Sequence, residues 1–134
     1  MIVEKDETIP VRTSEDVVRV RREVRERAVA LGFGLVDQTK LVTAASEIAR
    51  NTLDYGGGGE LRIEWLRDGN RRGLRLSFSD RGPGIPDIER AMTDGYTTGG
   101  GLGLGLSGAK RLSSDFAIRS SPGQGTVVIL ARWK

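Results

Sequence analysis

The stretch LRIEWLRDGNRRGLRLSFSDRGPG, residues 61–84, decides the fold. Leu61, Ile63 and Trp65 alternate, Asp68-Gly69-Asn70 supplies turn chemistry, and Leu74, Leu76 and Phe78 alternate again, which predicts a β-hairpin. Asp80 continues the even-numbered face of Leu74, Leu76 and Phe78, so a period of two aims its carboxylate at the core from the strand end. A lone buried charge is expensive and needs partners. Arg81-Gly82-Pro83-Gly84 follows at once: the glycines permit backbone close to a ligand, and the proline fixes a turn. An aspartate that merely caps this turn is the plain account. The functional one is a carboxylate that accepts hydrogen bonds from an exocyclic amine such as that of adenine.

Working outward, residues 2–11 alternate around Ile9 and Val11 and predict a first strand ending near Thr13. Thr13 and Asp16 have capping-box spacing, and Val17, Val20, Val24, Ala28 and Leu31 then recur at helical intervals until Gly32. Asp37 is a candidate cap for a second helix with the inward stripe Leu41, Ala45, Ile48 and Thr52, running out at glycines 56–59. Beyond the hairpin, residues 81–101 are rich in glycine and proline, with a short helix expected around Asp87 to Met92; a loop that long is usually functional. Leu102 to Ser114 reads as a third helix, with Leu102, Leu106, Ala109 and Leu112 on one face. Phe116 with Ile118, and Val127 with Ile129 and Ala131, predict a closing hairpin across Pro122-Gly123-Gln124-Gly125. This order favours an α/β (α+β) two-layer sandwich, a mixed sheet with helices on one face, because only one strand–helix–strand crossover repeats. Nothing divides residues 1–134, which read as a single domain.

Composition narrows the chemistry. The 134 residues are 37% hydrophobic and 29% charged, ordinary for a globular protein. No run approaches the roughly 18 apolar residues of a membrane span, and the N-terminus lacks an export signal, so a cytoplasmic setting without membrane partners is expected. Cysteine and histidine are both absent. Their absence excludes disulfides, thiolate nucleophiles, Cys-bound metals, the commonest general base and any phosphohistidine intermediate. The net charge of +3 is a mild field. The arginines between Arg12 and Arg27 read as a solvated helix face, supported by Glu23 and Arg27 at i,i+4, in preference to a nucleic-acid stripe.

Three further motifs carry chemistry. Glu47 and Asn51 lie one turn apart on one helix face. An amide oxygen suits Mg²⁺, and a neighbouring carboxylate can orient or deprotonate a hydroxyl; alone, the pair reads more simply as an exposed Glu and a mid-helix Asn. Gly99-Gly100-Gly101-Leu102-Gly103-Leu104-Gly105 places bare amides at a helix start, where phosphates are the natural guests and plain flexibility is the alternative. Dipole attraction is only about 0.3–1 kcal/mol, so a polyphosphate also needs Mg²⁺ and basic groups. Lys110 and Arg111 are candidates, though a solvated face explains both equally. The formal match of Gly103-x-Gly105-x-x-Gly108 to a dinucleotide fingerprint fails, because no strand precedes it and Val127 and Val128 stand where the ribose-binding acid belongs. Gly123-Gln124-Gly125-Thr126 reads as a hairpin turn, whose Thr126 hydroxyl can join the hydrogen bonds at an adenine edge.

Taken jointly and in order, these motifs resemble the GHKL ATPase and kinase superfamily, whose Bergerat ATP-binding fold carries N, G1, G2 and G3 boxes. Here the boxes would be Glu47 to Asn51, Asp80 to Gly84, Gly101 to Gly105 and Gly123 to Thr126, so the resemblance spans nearly the whole chain. It implies that Asn51 holds Mg²⁺, that Asp80 reads the adenine amine with Thr126 nearby, and that Gly101, Gly103 and Gly105 wrap the phosphates. Gly82, Gly84, Ile85, Gly99, Gly100, Leu102, Leu104 and Lys110 complete the implied ATP contacts.

Within that superfamily, Ser-Glu-Ile-Ala-Arg-Asn (46–51), Asp-Arg-Gly-Pro-Gly-Ile-Pro-Asp (80–87) and Gly-Gly-Gly-Leu-Gly-Leu-Gly-Leu-Ser-Gly-Ala-Lys-Arg-Leu (99–112) look like the RsbT-type switch kinases of bacterial stress signalling. That type implies phosphorylation of Ser or Thr on STAS-domain proteins of the stressosome, with Glu47 activating the acceptor hydroxyl, followed by activation of a PP2C-type phosphatase in sigma-factor signalling. The alternative is a nucleotide-gated binding switch or anti-sigma factor without physiological phosphotransfer. Neither reading involves nucleic acid. Relatives of the anti-sigma branch are often dimers, which leaves a homodimer open. The lid is short compared with gyrase or chaperone relatives, so partner docking is expected to complete the site.

Overall fold

A computed structural model describes residues 1–92 and 106–134 of the chain. The predicted phosphate loop, Gly99, Gly100, Gly101, Leu102, Gly103, Leu104 and Gly105, lies outside the described residues, as does the expected start of the third helix. The elements are β1 (Ile2–Val11), α1 (Ser14–Ala30), α2 (Leu35–Asp54), β2 (Gly59–Asp68), β3 (Arg71–Asp80), α3 (Ile88–Ala91), α4 (Leu106–Arg111), β4 (Asp115–Ser120) and β5 (Thr126–Trp133).

Local chemistry explains most boundaries. The Asp16 N–H donates to Thr13 Oγ1 at 3.1 Å and the Thr13 N–H to Asp16 Oδ2 at 3.2 Å, the reciprocal bonds of a capping box. Asp37 does not cap α2. Gly34 is the N-cap, without a side-chain bond, and Asp37 instead accepts from Arg132 Nη2 at 2.6 Å, a partner 95 residues away. The same guanidinium donates through Nη1 to the Leu112 carbonyl at 2.8 Å, tying the end of α4 to the start of α2. Helix α4 stops at Arg111, three residues before the expected end, and the Ser114 N–H already donates to Ala131. The hairpin β2–β3 closes over Gly69-Asn70, where Gly69 adopts a φ of +63°.

The sheet runs β1-β2-β3-β5-β4. Helices α1 and α2 pack on one face, as expected, but the sheet is not mixed: among the described residues every pairing is antiparallel. Two helical passes between β1 and β2 return the chain beside β1 in the opposite sense. The crossover from β3 through α4 to β4 does join strands of like direction, but β5 enters between them.

Ile9, Val11, Leu61, Ile63, Leu74, Leu76 and Phe78 bury one sheet face against Val17, Val20, Val24 and Ala28 of α1 and Leu41, Ala44, Ala45 and Ile48 of α2. Each such side chain contributes roughly 1.5–3 kcal/mol of burial where it is large and fully enclosed. In β5 the core residues are Thr126, Val128 and Leu130, not the predicted Val127 and Ile129, because Leu130 pairs with Leu76 and Val128 with Phe78. Ala131 is buried too, from the opposite face, so the apolar run 127–131 has no clean alternation to read.

Arg27 is more than part of a solvated face. It pairs with Glu7 of β1 as well as with Glu23, and is itself half-buried, which pins α1 to the sheet. Its hydrogen bond holds the Glu7 carboxyl below the usual glutamate range. On the helix-free face, Glu64 sits directly opposite Arg75 and accepts from Nε at 2.8 Å and Nη2 at 3.1 Å. No helix among the described residues is long and apolar enough to cross a membrane.

Candidate functional site

Three chain segments far apart in sequence meet at one end of the sheet. Helix α2 presents Ile48, Asn51 and Thr52, with Tyr55 as its C-cap; β3 presents Phe78 and Asp80; β5 presents Thr126 and Val128. With Ile85 and Leu106 they line a narrow cleft of about 20 Å³, well below the usual size of a small-molecule site. The walls are mostly apolar and the polar groups are few, a make-up common to small-molecule sites.

Asp80 is placed by both neighbours of its strand end. Antiparallel register sets it opposite Thr126 on β5 and opposite Gly59 on β2. The Gly82 N–H donates to Asp80 Oδ1 at 2.9 Å, so the aspartate does cap its own turn, yet the side chain also lines the cleft. The turn-capping account therefore holds, and the same side chain is open to the cleft. Burial pushes its carboxyl above the usual aspartate range, opposed by the N–H groups of Gly82 and Thr126, which favour the charged form.

Close backbone contacts explain the glycines around it. A Cβ on Gly56 would lie 2.4 Å from both Cγ and Oδ2 of Asp80, and one on Gly82 would lie 2.7 Å from the Gly56 Cα. Gly84 has a φ of +79°, and a Cβ there would meet the Ser121 carbonyl oxygen at 2.0 Å. Gly82 and Gly84 thus shape the loop, whereas Ile85 reaches the cleft itself.

Asn51 is fixed by the end of its helix: the N–H groups of Tyr55 and Gly56 donate to its carbonyl at 3.0 and 3.1 Å. Its side chain lines the cleft, and its buried Nδ2 has no hydrogen-bond partner among the described residues. A buried polar atom left unpaired costs about 1–3 kcal/mol, so this amide has hydrogen-bonding capacity that no described residue meets. Rotating the amide offers either its oxygen or its nitrogen there. Among the described residues no cluster of three or more acidic side chains could hold a metal unaided. Turned to present its oxygen, the Asn51 amide is a donor type that Mg²⁺ accepts.

Glu47 and Lys110 stand outside the cleft. Both are exposed, and neither is among its lining residues, although Glu47 lies on α2 one turn before Asn51. Conversely, three contributors escape a reading of the sequence. The Tyr55 hydroxyl donates to the Gly84 carbonyl at 2.8 Å, joining the end of α2 to the loop after β3. Gly56 makes room for Asp80. Ser120, on β4, accepts from the Ile85 N–H at 2.7 Å and lies 2.8 Å from Thr126 Oγ1. Tyr55 and Ser120 act across 29 and 35 residues of chain, and no local pattern marks either.

Known proteins agree with this geometry. Residues 36–134 match the family model described as histidine kinase-, DNA gyrase B-, and HSP90-like ATPase. The chain is 45% identical over 125 residues to the serine/threonine-protein kinase RsbT of Bacillus subtilis (strain 168), covering 93% of this chain and 94% of that one. It is 31% identical over 101 residues to an anti-sigma F factor of Bacillus licheniformis, covering 70% and 68% of the two chains. Among solved structures, the RsbU and RsbW domains of Rv1364c from Mycobacterium tuberculosis superpose with a TM-score of 0.64 at 21% identity, over 96% of this chain and 32% of that one. The cleft, the antiparallel sheet with its helical layer, and these similarities lead to one assignment: the chain belongs to the histidine kinase-, DNA gyrase B- and HSP90-like ATPase family.

Proposed function

We propose that residues 1–134 form one cytoplasmic ATP-binding domain acting as a protein serine/threonine kinase of the partner-switching type. Its substrates are Ser or Thr hydroxyls of STAS-domain proteins, and after transfer it activates a PP2C-type phosphatase. The observation that carries the reading is the convergence on one cleft of Asp80, Thr126 and Asn51, whose Nδ2 has no partner among the described residues, in a chain 45% identical to a serine/threonine-protein kinase over nearly its full length.

In this reading the Asp80 carboxylate accepts the exocyclic amine of adenine, while the apolar walls from Ile48, Ile85 and Val128 enclose the ring. Asn51 holds Mg²⁺, which neutralises phosphate charge when bound. Gly101, Gly103 and Gly105 cradle the phosphates, with Gly99, Gly100, Leu102 and Leu104 beside them and Lys110 supplying charge. Glu47 orients the incoming hydroxyl; phosphoryl transfer with a loose transition state asks for little base strength. The exposure of Glu47 favours a second reading in the same cleft, a nucleotide-gated switch of the anti-sigma kind whose output is partner binding alone.

One assay separates the two: γ-labelled Mg-ATP, the purified chain and candidate STAS-domain partners. Label on a partner's Ser or Thr supports the kinase; ATP-dependent partner binding without label supports the switch. Asp80→Asn is expected to abolish nucleotide binding, and Glu47→Ala to spare binding while slowing transfer. Equal ATP affinity in wild type and Asp80→Asn refutes the adenine contact.

A further inference from the structure

Arg132 stands at the end of β5 remote from the cleft, and it holds two helices at once. It lies in register with Leu74 of β3, and its guanidinium reaches into the helical layer. Its Nη2 donates to Asp37 Oδ1 at 2.6 Å in the first turn of α2, and its Nη1 donates to the carbonyl of Leu112, just past the end of α4, at 2.8 Å. Only 16% of the Arg132 side chain is exposed, so these bonds are largely shielded from water. Charge-assisted bonds of this kind are roughly twice as strong as neutral ones.

Helix α4 has six residues and is about 9 Å long. Of these, Leu106 and Ala109 are buried, and Leu106, the first, lines the cleft. Hydrophobic attraction is non-directional, so two apolar side chains hold a short rod in place without fixing how far it slides or turns. The guanidinium supplies directional bonds at the rod's other end. Two further bonds, from the Ser114 N–H to the Ala131 carbonyl and from the Trp133 N–H to Ser114 Oγ, tie the turn after α4 to β5. Neither of them reaches α2. About 20 Å of strand separates Arg132 from Thr126, so the clamp touches none of the cleft residues directly.

We infer that Arg132 is a positioning residue: by clamping the end of α4 to Asp37 of α2, it sets the placement of Leu106 and of the chain that leads into α4, and so tunes triphosphate binding from the opposite end of β5. This rests on the proposal that the cleft takes ATP with its phosphates on the residues before α4. Base contacts at Asp80 and Thr126 come from the strands and do not run through α4; phosphate contacts do. A role confined to general stability weakens every ligand by one common factor.

The test compares Mg-ATP, by calorimetry, with adenosine, by competition against Mg-ATP. Arg132→Ala is expected to raise Kd for Mg-ATP by about three- to tenfold, the effect of one net hydrogen bond, while moving adenosine by less than about twofold. Arg132→Lys, which keeps the cation, regains part of the difference. Asp37→Ala is expected to lose less than Arg132→Ala, because the Leu112 bond remains, and the double variant no more than Arg132→Ala alone. Hydrogen exchange gives a second readout: the amides of α4 lose protection in Arg132→Ala while those of β2 and β3 keep theirs. If Arg132→Ala does not fold, Arg132→Gln carries the same comparisons. Equal losses for the two ligands, no loss for either, or unchanged protection of α4 overturns the inference while leaving ATP binding intact. A wild-type chain that binds neither ligand refutes instead the proposed function beneath it.

Discussion

Replacing Gly56 with alanine tests the placement of Asp80 by geometry alone. The added Cβ would sit 2.4 Å from Asp80 Cγ and Oδ2, more than 1 Å inside ordinary contact distance of about 3.5 Å. Either the carboxylate swings out of the cleft or the end of α2 retreats. A hydrogen bond to a charged group is typically about 1.5–3 kcal/mol, so displacing the Asp80 oxygen is expected to weaken ATP binding about ten- to a hundredfold. Gly57→Ala is the control. It opens onto empty space, but Gly57 has a φ of +75°, so alanine there costs about 1–2 kcal/mol of stability without touching Asp80. Calorimetric titration with Mg-ATP, alongside urea unfolding of both variants, separates the effects: Gly56→Ala loses affinity, Gly57→Ala loses stability. Wild-type ATP affinity in a folded Gly56→Ala protein whose crystal structure shows the carboxylate displaced would show that Asp80 does not make the base contact.

Three other outcomes follow from the same structure. Tyr55→Phe removes the 2.8 Å bond to the Gly84 carbonyl but keeps the ring in the cleft wall, so it is expected to cost about 1 kcal/mol in urea unfolding and to lower ATP affinity less than Tyr55→Ala does. Glu64→Gln breaks a half-buried bidentate pair with Arg75 and is expected to destabilise by about 1–3 kcal/mol at neutral pH. The Arg75 bond lowers the Glu64 pKa in the folded state, so that stabilisation is present above the ordinary value of 4.5 and lost as pH falls through the lower folded value; unfolding curves of wild type and variant are expected to converge in acid. For Asp80 the sign is reversed: burial raises its pKa above 3.8, so ATP affinity, followed by calorimetric titration across pH, is expected to decline on acidification while an ordinary aspartate would still be charged.

Much of the fold can be read in local pattern because its buried faces are clean. The capping box at Thr13, the valine stripe of α1 and the alternation of β2 and β3 all appear where periodicity puts them. Pattern fails where both faces are partly covered or a partner is distant. In 127–131 every residue is apolar, so the choice between odd and even positions is settled only by pairing with β3. Asp37 looks like a cap because nothing near it in sequence reveals Arg132. The site divides in the same way. Asp80, Asn51, Ile85 and Thr126 are visible as motif residues, whereas Tyr55, Gly56 and Ser120 owe their places to contacts formed only once α2, β3 and β4 have converged.

The departure from a mixed sheet is what assembles that site. Had β4 paired in parallel with β3, as a plain strand–helix–strand crossover would have it, β5 would lie one strand further out. Thr126 would then stand two strand spacings, about 9–10 Å, from Asp80, beyond the reach of one edge of one small ligand. Because β5 enters antiparallel between β3 and β4, its first residue falls in register with the last residue of β3, and Ser120 falls in register with Thr126 on the other side. Asp80, Thr126 and Ser120 thus form a row across three adjacent strand ends. The strand insertion that pattern reading misses is the event that brings a turn-capping aspartate and a hairpin threonine side by side in one cleft.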